Sequence, residues 1–60
     1  MSSDMKDARW GLAMCMADQN DFDWYDLGYD DTEFFLNRAQ AELDEYPEEI
    51  EYWAKEFRGE

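Results

Sequence analysis

The clearest structural signal in this chain is the run PEEIEYWAKEFRG at residues 47–59. Its apolar residues fall at i, i+3, i+4 and i+7, which is the spacing of one helix face; they are Ile50, Trp53, Ala54 and Phe57. Pro47 suits the first position of a helix, and Gly59 suits the position after its last turn. The run therefore predicts a helix over residues 47–58.

The same spacing predicts two helices upstream. Over residues 4–17 the apolar positions are Met5, Ala8, Leu12 and Cys15, with Met16 beside them. Over residues 31–46 they are Phe35, Ala39, Leu43 and Tyr46, with Leu36 beside them. Because proline disfavours helical geometry at the preceding residue, the second helix should end at Tyr46.

Two local features of these helices need an explanation. Gly11 costs about 1 kcal/mol relative to alanine inside a helix, which a close approach of another element would explain. Asp30 and Glu33 have the spacing of a capping box for the second helix, although Asp31 or Thr32 could provide the cap instead.

Between the first two helices lies DQNDFDWYDLGYDD, residues 18–31, where six aspartates alternate with aromatic and apolar residues. Aspartate and asparagine favour turns and caps, so we expect a loop with one short helical turn near residues 21–27, ended by Gly28; a short strand is the alternative. The fold class is thus all-α, a small three-helix domain over residues 1–60 with an acidic, aromatic-rich loop. In so short a chain we expect a core dense in large side chains, supplied by the tryptophans, phenylalanines, tyrosines and methionines, although it cannot hide all eleven aromatic rings.

Composition excludes several functions. The chain has 17 acidic and 5 basic residues and a net charge of −12, so it should bind neither nucleic acid nor an anionic membrane directly. It has no histidine and one cysteine, which excludes the usual zinc sites. The EF-hand pattern fails from either Asp18 or Asp21. We expect no catalytic residue, no cofactor, no metal and no enzymatic activity.

The location of the charge suggests an interface. Residues 21–33 hold six acidic residues and no basic one, which is half of the net charge. Solubility of a small domain needs a net charge of only about 2–8, so the surplus suggests a basic protein partner. Aromatic residues beside charge are common interface anchors. The predicted partner-binding residues are Asp21, Asp23, Trp24, Asp26, Asp30, Asp31, Glu33, Glu48, Glu49, Glu51 and Tyr52.

The sequence also suggests where the protein acts. A single cysteine cannot form an intramolecular disulfide, and this favours a reducing compartment. The start of the chain lacks the basic region of a signal peptide, and the apolar run at residues 12–17 is too short to cross a bilayer. We therefore expect a cytoplasmic protein, and the small core leaves a homodimer open.

In size, acidity and aromatic content the chain resembles the small DNA-mimic inhibitors that bacteriophages encode, the anti-restriction and anti-CRISPR proteins. The segment ELDEYPEEIE at residues 42–51 is similar in style to the acidic helices of such mimics. The resemblance implies that the acidic positions together occupy a basic DNA- or RNA-binding groove of a host defence nuclease or CRISPR surveillance complex, in the host cytoplasm. The alternative is a small regulatory subunit that binds a protein through aromatic residues such as Trp24 and Tyr52.

Overall fold

The computed structural model describes residues 3–60, which form three α-helices and no strand. The helices are α1 (Ser3–Gln19), α2 (Tyr29–Glu45) and α3 (Ile50–Arg58). A 3₁₀ turn lies in each connection, at Trp24–Asp26 and at Pro47–Glu49. The predicted all-α, three-helix class is confirmed.

The helix boundaries differ from the prediction at the connections. The first connection covers only residues 20–28, because α1 continues to Gln19 and α2 begins at Tyr29. Residues 47–49 form a 3₁₀ turn, so α3 begins at Ile50. Tyr46 has a non-helical backbone (φ −125°, ψ 69°), which confirms that the second helix ends before Pro47.

The predicted capping box of α2 is wrong. Gly28 occupies the N-cap with an extended backbone (φ −75°, ψ 171°), and its carbonyl accepts the first helical hydrogen bond from Thr32 N–H at 3.0 Å. Asp30 and Asp31 lie inside the first turn instead. There they complement the positive end of the helix dipole without capping it.

Helix α1 is the centre of the fold, because the other elements pack around it. Consecutive helical residues point about 100° apart, and three neighbours show the arrangement. Arg9 Nε donates to the Leu36 carbonyl of α2 at 3.3 Å. Trp10 packs edge-on against Trp24 of the first 3₁₀ turn. Gly11 faces α3.

The core of this arrangement consists mainly of small side chains. Ala8, Ala13, Ala17 and Ala39 are fully buried, and Leu43 is the largest side chain buried to that extent. The tryptophans are only partly buried and pack around this core. The expected core of large side chains is found only in part: Phe35 is buried together with three leucines, whereas alanines let the helices approach closely and the tryptophans lie at the edges.

Gly11 lies at a close approach of α1 to α3, which runs antiparallel to it. A Cβ atom on Gly11 would lie 2.8 Å from the carbonyl oxygen of Trp53 and 3.1 Å from Cβ of Phe57. Since the nearest atom belongs to the backbone of α3, that helix would have to move. Glycine at this position is explained by packing.

We expect Gly11→Ala to destabilise the fold by about 1 kcal/mol, because overpacking costs roughly 1–3 kcal/mol and outweighs the gain in helix propensity of about 1 kcal/mol. Urea unfolding measures the change. The control is Ala41→Gly at an exposed position of α2, which loses helix propensity without altering a tight contact. A stabilised Gly11→Ala variant would show that α3 does not approach α1 this closely.

Two ion pairs join the end of α3 to the start of α1. Arg58 Nη2 lies 2.6 Å from Asp4 Oδ1, and Arg58 Nε lies 2.7 Å from Asp7 Oδ2. The hydrogen bonds to Asp4 and then to Asp7 raise the pKa of Arg58 above its ordinary value. The side chain of Arg58 thus holds two aspartates that would otherwise repel each other.

We expect Arg58→Gln to lower the thermal unfolding midpoint more than Lys6→Gln does, because only Arg58 neutralises two carboxylates. Both substitutions remove one positive charge, and Lys6 is an exposed residue of the same helix bundle. The difference between the unfolding midpoints of the two variants should be smaller in 1 M salt, because salt screens exposed ion pairs. Equal midpoints at low salt would contradict the stabilising role of these ion pairs.

Candidate functional site

The acidic residues at positions 18–33, here called the acidic segment, carry no internal counter-charge. Within residues 3–60 no ion pair involves an acid of this segment. Arg58 pairs with Asp4 and Asp7, and Lys55 lies 3.6 Å from Glu51. The ion pairs therefore neutralise Asp4, Asp7 and Glu51 and leave the acidic segment negative.

The remaining arginines are also engaged away from these carboxylates. Arg9 donates to the Leu36 carbonyl. The Arg38 guanidinium lies 5.7 Å from the centre of the Phe34 ring, within the range of a cation–π contact.

The acidic segment begins where α1 ends in a Schellman motif. Phe22 N–H donates to the Ala17 carbonyl and Asp21 N–H donates to the Asp18 carbonyl, both at 3.0 Å. Asp21 has the left-handed conformation (φ 64°) that this motif requires and that glycine usually supplies. Asp18 and Asp21 also lie at the negative end of the α1 dipole, where acidic residues are unfavourable.

The first 3₁₀ turn orients two neighbouring aromatic residues differently. Asp23 caps the turn, since its Oδ1 accepts from Tyr25 N–H at 3.1 Å. Trp24 packs edge-on against Trp10 with ring centres 5.8 Å apart. Tyr25 is 84% exposed. Because a 3₁₀ turn has three residues per turn, an inward Trp24 leaves its neighbour facing solvent.

The structure places most of the predicted partner-binding residues at the surface. The exposed ones are Asp21, Asp23, Asp26, Asp30, Asp31, Glu33, Glu48, Glu51 and Tyr52. Trp24 and Glu49 are half-buried. Trp24 has an intramolecular packing role, and Asp23 has a capping role besides its charge.

Sequence reasoning left Tyr25 out of the predicted set, although it is more exposed than Trp24. The sequence feature that could have indicated the exposure of Tyr25 is its position next to a tryptophan in a short turn. Tyr29, at the start of α2, is 78% exposed and was also left out.

The predicted acids of the second connection lie away from the start of α2. From Asp30 to Tyr46 the chain runs along α2 for roughly 24 Å, at about 1.5 Å per residue, and the longest extent of the molecule is 28 Å. Glu48 and Glu49 follow Tyr46, so α2 separates them from Asp30 and Asp31. Glu51 is paired with Lys55. The acidic segment therefore holds seven of the fourteen acids that have no ion pair within residues 3–60, in one continuous stretch of sequence.

Glu49 turns inward at the second connection. Its Oε1 is shielded from solvent and lacks a hydrogen-bond partner within residues 3–60. Desolvation is the largest cause that raises the pKa of Glu49 above its ordinary value, followed by the nearby Glu42 and then Glu48, while a hydrogen bond with Trp53 acts in the opposite direction.

No group of residues within positions 3–60 is arranged to hold a metal ion. Within the same positions, no helix combines the length and the apolar character needed to cross a membrane.

Comparison of the chain with models of known protein families, with curated proteins and with solved structures gave no match. Function is therefore argued from the surface of the molecule.

We expect Asp21→Gly to stabilise the protein by roughly 0.5 kcal/mol, because glycine adopts the left-handed conformation without a steric cost and the change removes a charge unfavourable to the α1 dipole. Asp21→Ala is the matched control: it removes the same charge but keeps a Cβ at positive φ. The free energy of unfolding measured in urea should be about 1 kcal/mol higher for Asp21→Gly than for Asp21→Ala. The reverse order would contradict the Schellman geometry.

Glu49→Gln should remove part of the pH dependence of stability. A carboxyl whose pKa is raised on folding contributes stability below its unfolded pKa, and that contribution is lost as pH rises through the folded value. We therefore expect the wild-type midpoint in urea to fall more steeply than that of Glu49→Gln as the pH rises above the ordinary pKa of a glutamate. Equal slopes of the urea midpoint against pH for wild type and Glu49→Gln would contradict the raised pKa of Glu49.

Proposed function

We propose that this protein is a non-enzymatic inhibitor whose acidic segment mimics nucleic acid and occupies a basic DNA- or RNA-binding groove. The proposed target class is a host defence nuclease or a CRISPR surveillance complex, met in the host cytoplasm, as the resemblance to phage-encoded inhibitors suggests. The observation that supports it best is the pairing pattern. Four of the five lysines and arginines contact other groups, and within residues 3–60 none of the five forms an ion pair with the acidic segment.

The cost of this charge arrangement also supports the proposal. Asp18 and Asp21 lie at the unfavourable end of the α1 dipole, where each charge costs about 0.3–1 kcal/mol. Asp21 additionally occupies a left-handed conformation. A small domain has little stability to lose, so destabilising charges retained at the surface are consistent with use by a partner.

In the proposed mechanism the acidic segment attracts a basic groove over a distance and then competes with the phosphate backbone for it. Charge complementarity raises the association rate and fixes orientation. The Tyr25 and Tyr29 rings, which are exposed beside these carboxylates, add contact area. Nucleic acid cannot enter while the groove is occupied.

The test is capture of a host protein by the immobilised chain at low salt, followed by elution with duplex DNA at constant ionic strength. A nucleic-acid mimic predicts release by DNA and by salt. Reversing Asp26, Asp30 and Glu33 to lysine should weaken capture at least about tenfold, because like charges across an interface cost several kcal/mol. Asp23 is left intact because its carboxylate caps the 3₁₀ turn.

The matched control reverses three exposed acids outside the acidic segment, Asp44, Glu45 and Glu60, and changes the net charge by the same amount. It should retain most of the capture. Equal loss in both variants would show that only total charge matters, and a complex resistant to DNA and salt would overturn the proposal.

A second candidate is a small interaction subunit, which the exposure of Phe22 (49%) and Phe34 (54%) favours. Together with Met16, Asn20 and Arg38 they line an open groove between α1 and α2. A partner bound in this groove through apolar contacts would stay bound in high salt, and Phe34→Ser would abolish its binding. Both results differ from those expected of the acidic inhibitor.

A further inference from the structure

A second groove lies between the acidic segment and α3. Two open depressions of about 500 and 410 Å³ share Met14 and Tyr25 as lining residues, so they adjoin each other along α1. Gly11 and Met14 belong to α1, and Phe57 lines the α3 side. The two adjoining depressions are together called the Tyr25 groove below.

Its walls combine aromatic surface with negative charge. Tyr25 is 84% exposed and Phe57 is 44% exposed. The carboxyl-bearing residues that line it are Asp18, Asp21, Asp23 and Glu56. No lysine or arginine of the described chain lines either cavity. The groove therefore presents an apolar, aromatic surface with an acidic rim.

We propose that the Tyr25 groove receives an arginine side chain from a basic protein partner, an inference that rests on the proposed function and specifies how the target is held. A guanidinium group is planar and weakly hydrated, so it stacks on an exposed ring while its N–H groups pair with carboxylates. Lysine has a compact, strongly hydrated charge that suits this combination less well.

The protein itself contains both kinds of arginine contact, with a ring and with carboxylates, at other positions. The Arg38 guanidinium lies over the Phe34 ring, and Arg58 donates to two carboxylates at once. At the Tyr25 groove the ring and the carboxylates are present together. One Asp23 oxygen caps Tyr25 N–H, which leaves Oδ2 for an incoming donor.

The test titrates the 60-residue chain with two peptides of equal charge, hexa-arginine and hexa-lysine, at low salt. Binding of each peptide is measured from the changes in the amide NMR chemical shifts of the protein. We expect hexa-arginine to bind about two- to five-fold more tightly, the size of an exposed cation–π contact. The largest shifts should lie at Met14, Tyr25 and Phe57.

Tyr25→Ala should abolish the preference for arginine, and Tyr25→Phe, which keeps the ring, should retain it. Tyr29→Ala is the matched control, because Tyr29 is equally open to solvent but lies outside the groove residues. It should leave the preference unchanged.

Equal affinity for both probes, or a preference that survives Tyr25→Ala, would overturn the arginine site while leaving the acidic inhibitor intact. Failure of both probes to bind at low salt would overturn the proposed function as well. Shifts at the groove that depend on protein concentration without any probe would assign it to a second copy of the chain and overturn the arginine site.

Discussion

The structure depends on burial of one helix on several sides at once. Arg9, Trp10 and Gly11 are consecutive, yet they contact α2, the first 3₁₀ turn and α3 respectively. A chain of 60 residues has too little material to build a second core layer. It therefore surrounds α1 with its remaining elements and uses small residues to bring them close.

This constraint determines where the aromatic rings lie. Contacts between buried alanines leave no space for tryptophan or tyrosine between the helices, so the rings pack over the edges. Trp10 and Trp24 cover one edge of α1, and the exposed rings of Phe22 and Phe34 pack edge-on against the buried ring of Phe35. Half-exposed rings next to carboxylates follow directly from a core made of small side chains. The surface available to a partner is thus a consequence of how the core is packed.

Much of the fold could be predicted from the sequence because the signals were local. The apolar stripe of α3, the break before Pro47 and the closing role of Gly59 each depend on a few neighbouring residues, and the structure agrees; Gly59 has φ 78°. Gly11 could be recognised as unusual, but only the opposing backbone of Trp53 shows why it is needed.

The errors arose where tertiary contacts decide. Ala13 and Ala17 lie outside the predicted stripe of the first helix, yet both are fully buried, because periodicity assumes that a helix buries one face only. The start of α2 depends on the carbonyl of Gly28, which has no side-chain signal to read.

Prediction of the candidate site was limited in the same way. Exposure of aspartates in a connection is predictable from their type, but the direction of a ring or carboxyl is not. Trp24 turns inward to Trp10 while Tyr25 turns outward, and Glu49 turns inward beside Glu42. Each direction depends on a 3₁₀ turn whose register the sequence pattern does not fix.

The ion pairs of Arg58 join residues 51 and 54 positions apart, and this has a consequence for biosynthesis. Helix α1 is synthesised before α3, so the side of α1 that faces α3 stays uncovered until α3 has left the ribosome. The native packing of this domain can therefore be completed only after residue 58 has emerged, and until then the exposed face of α1 is open to contacts with other chains.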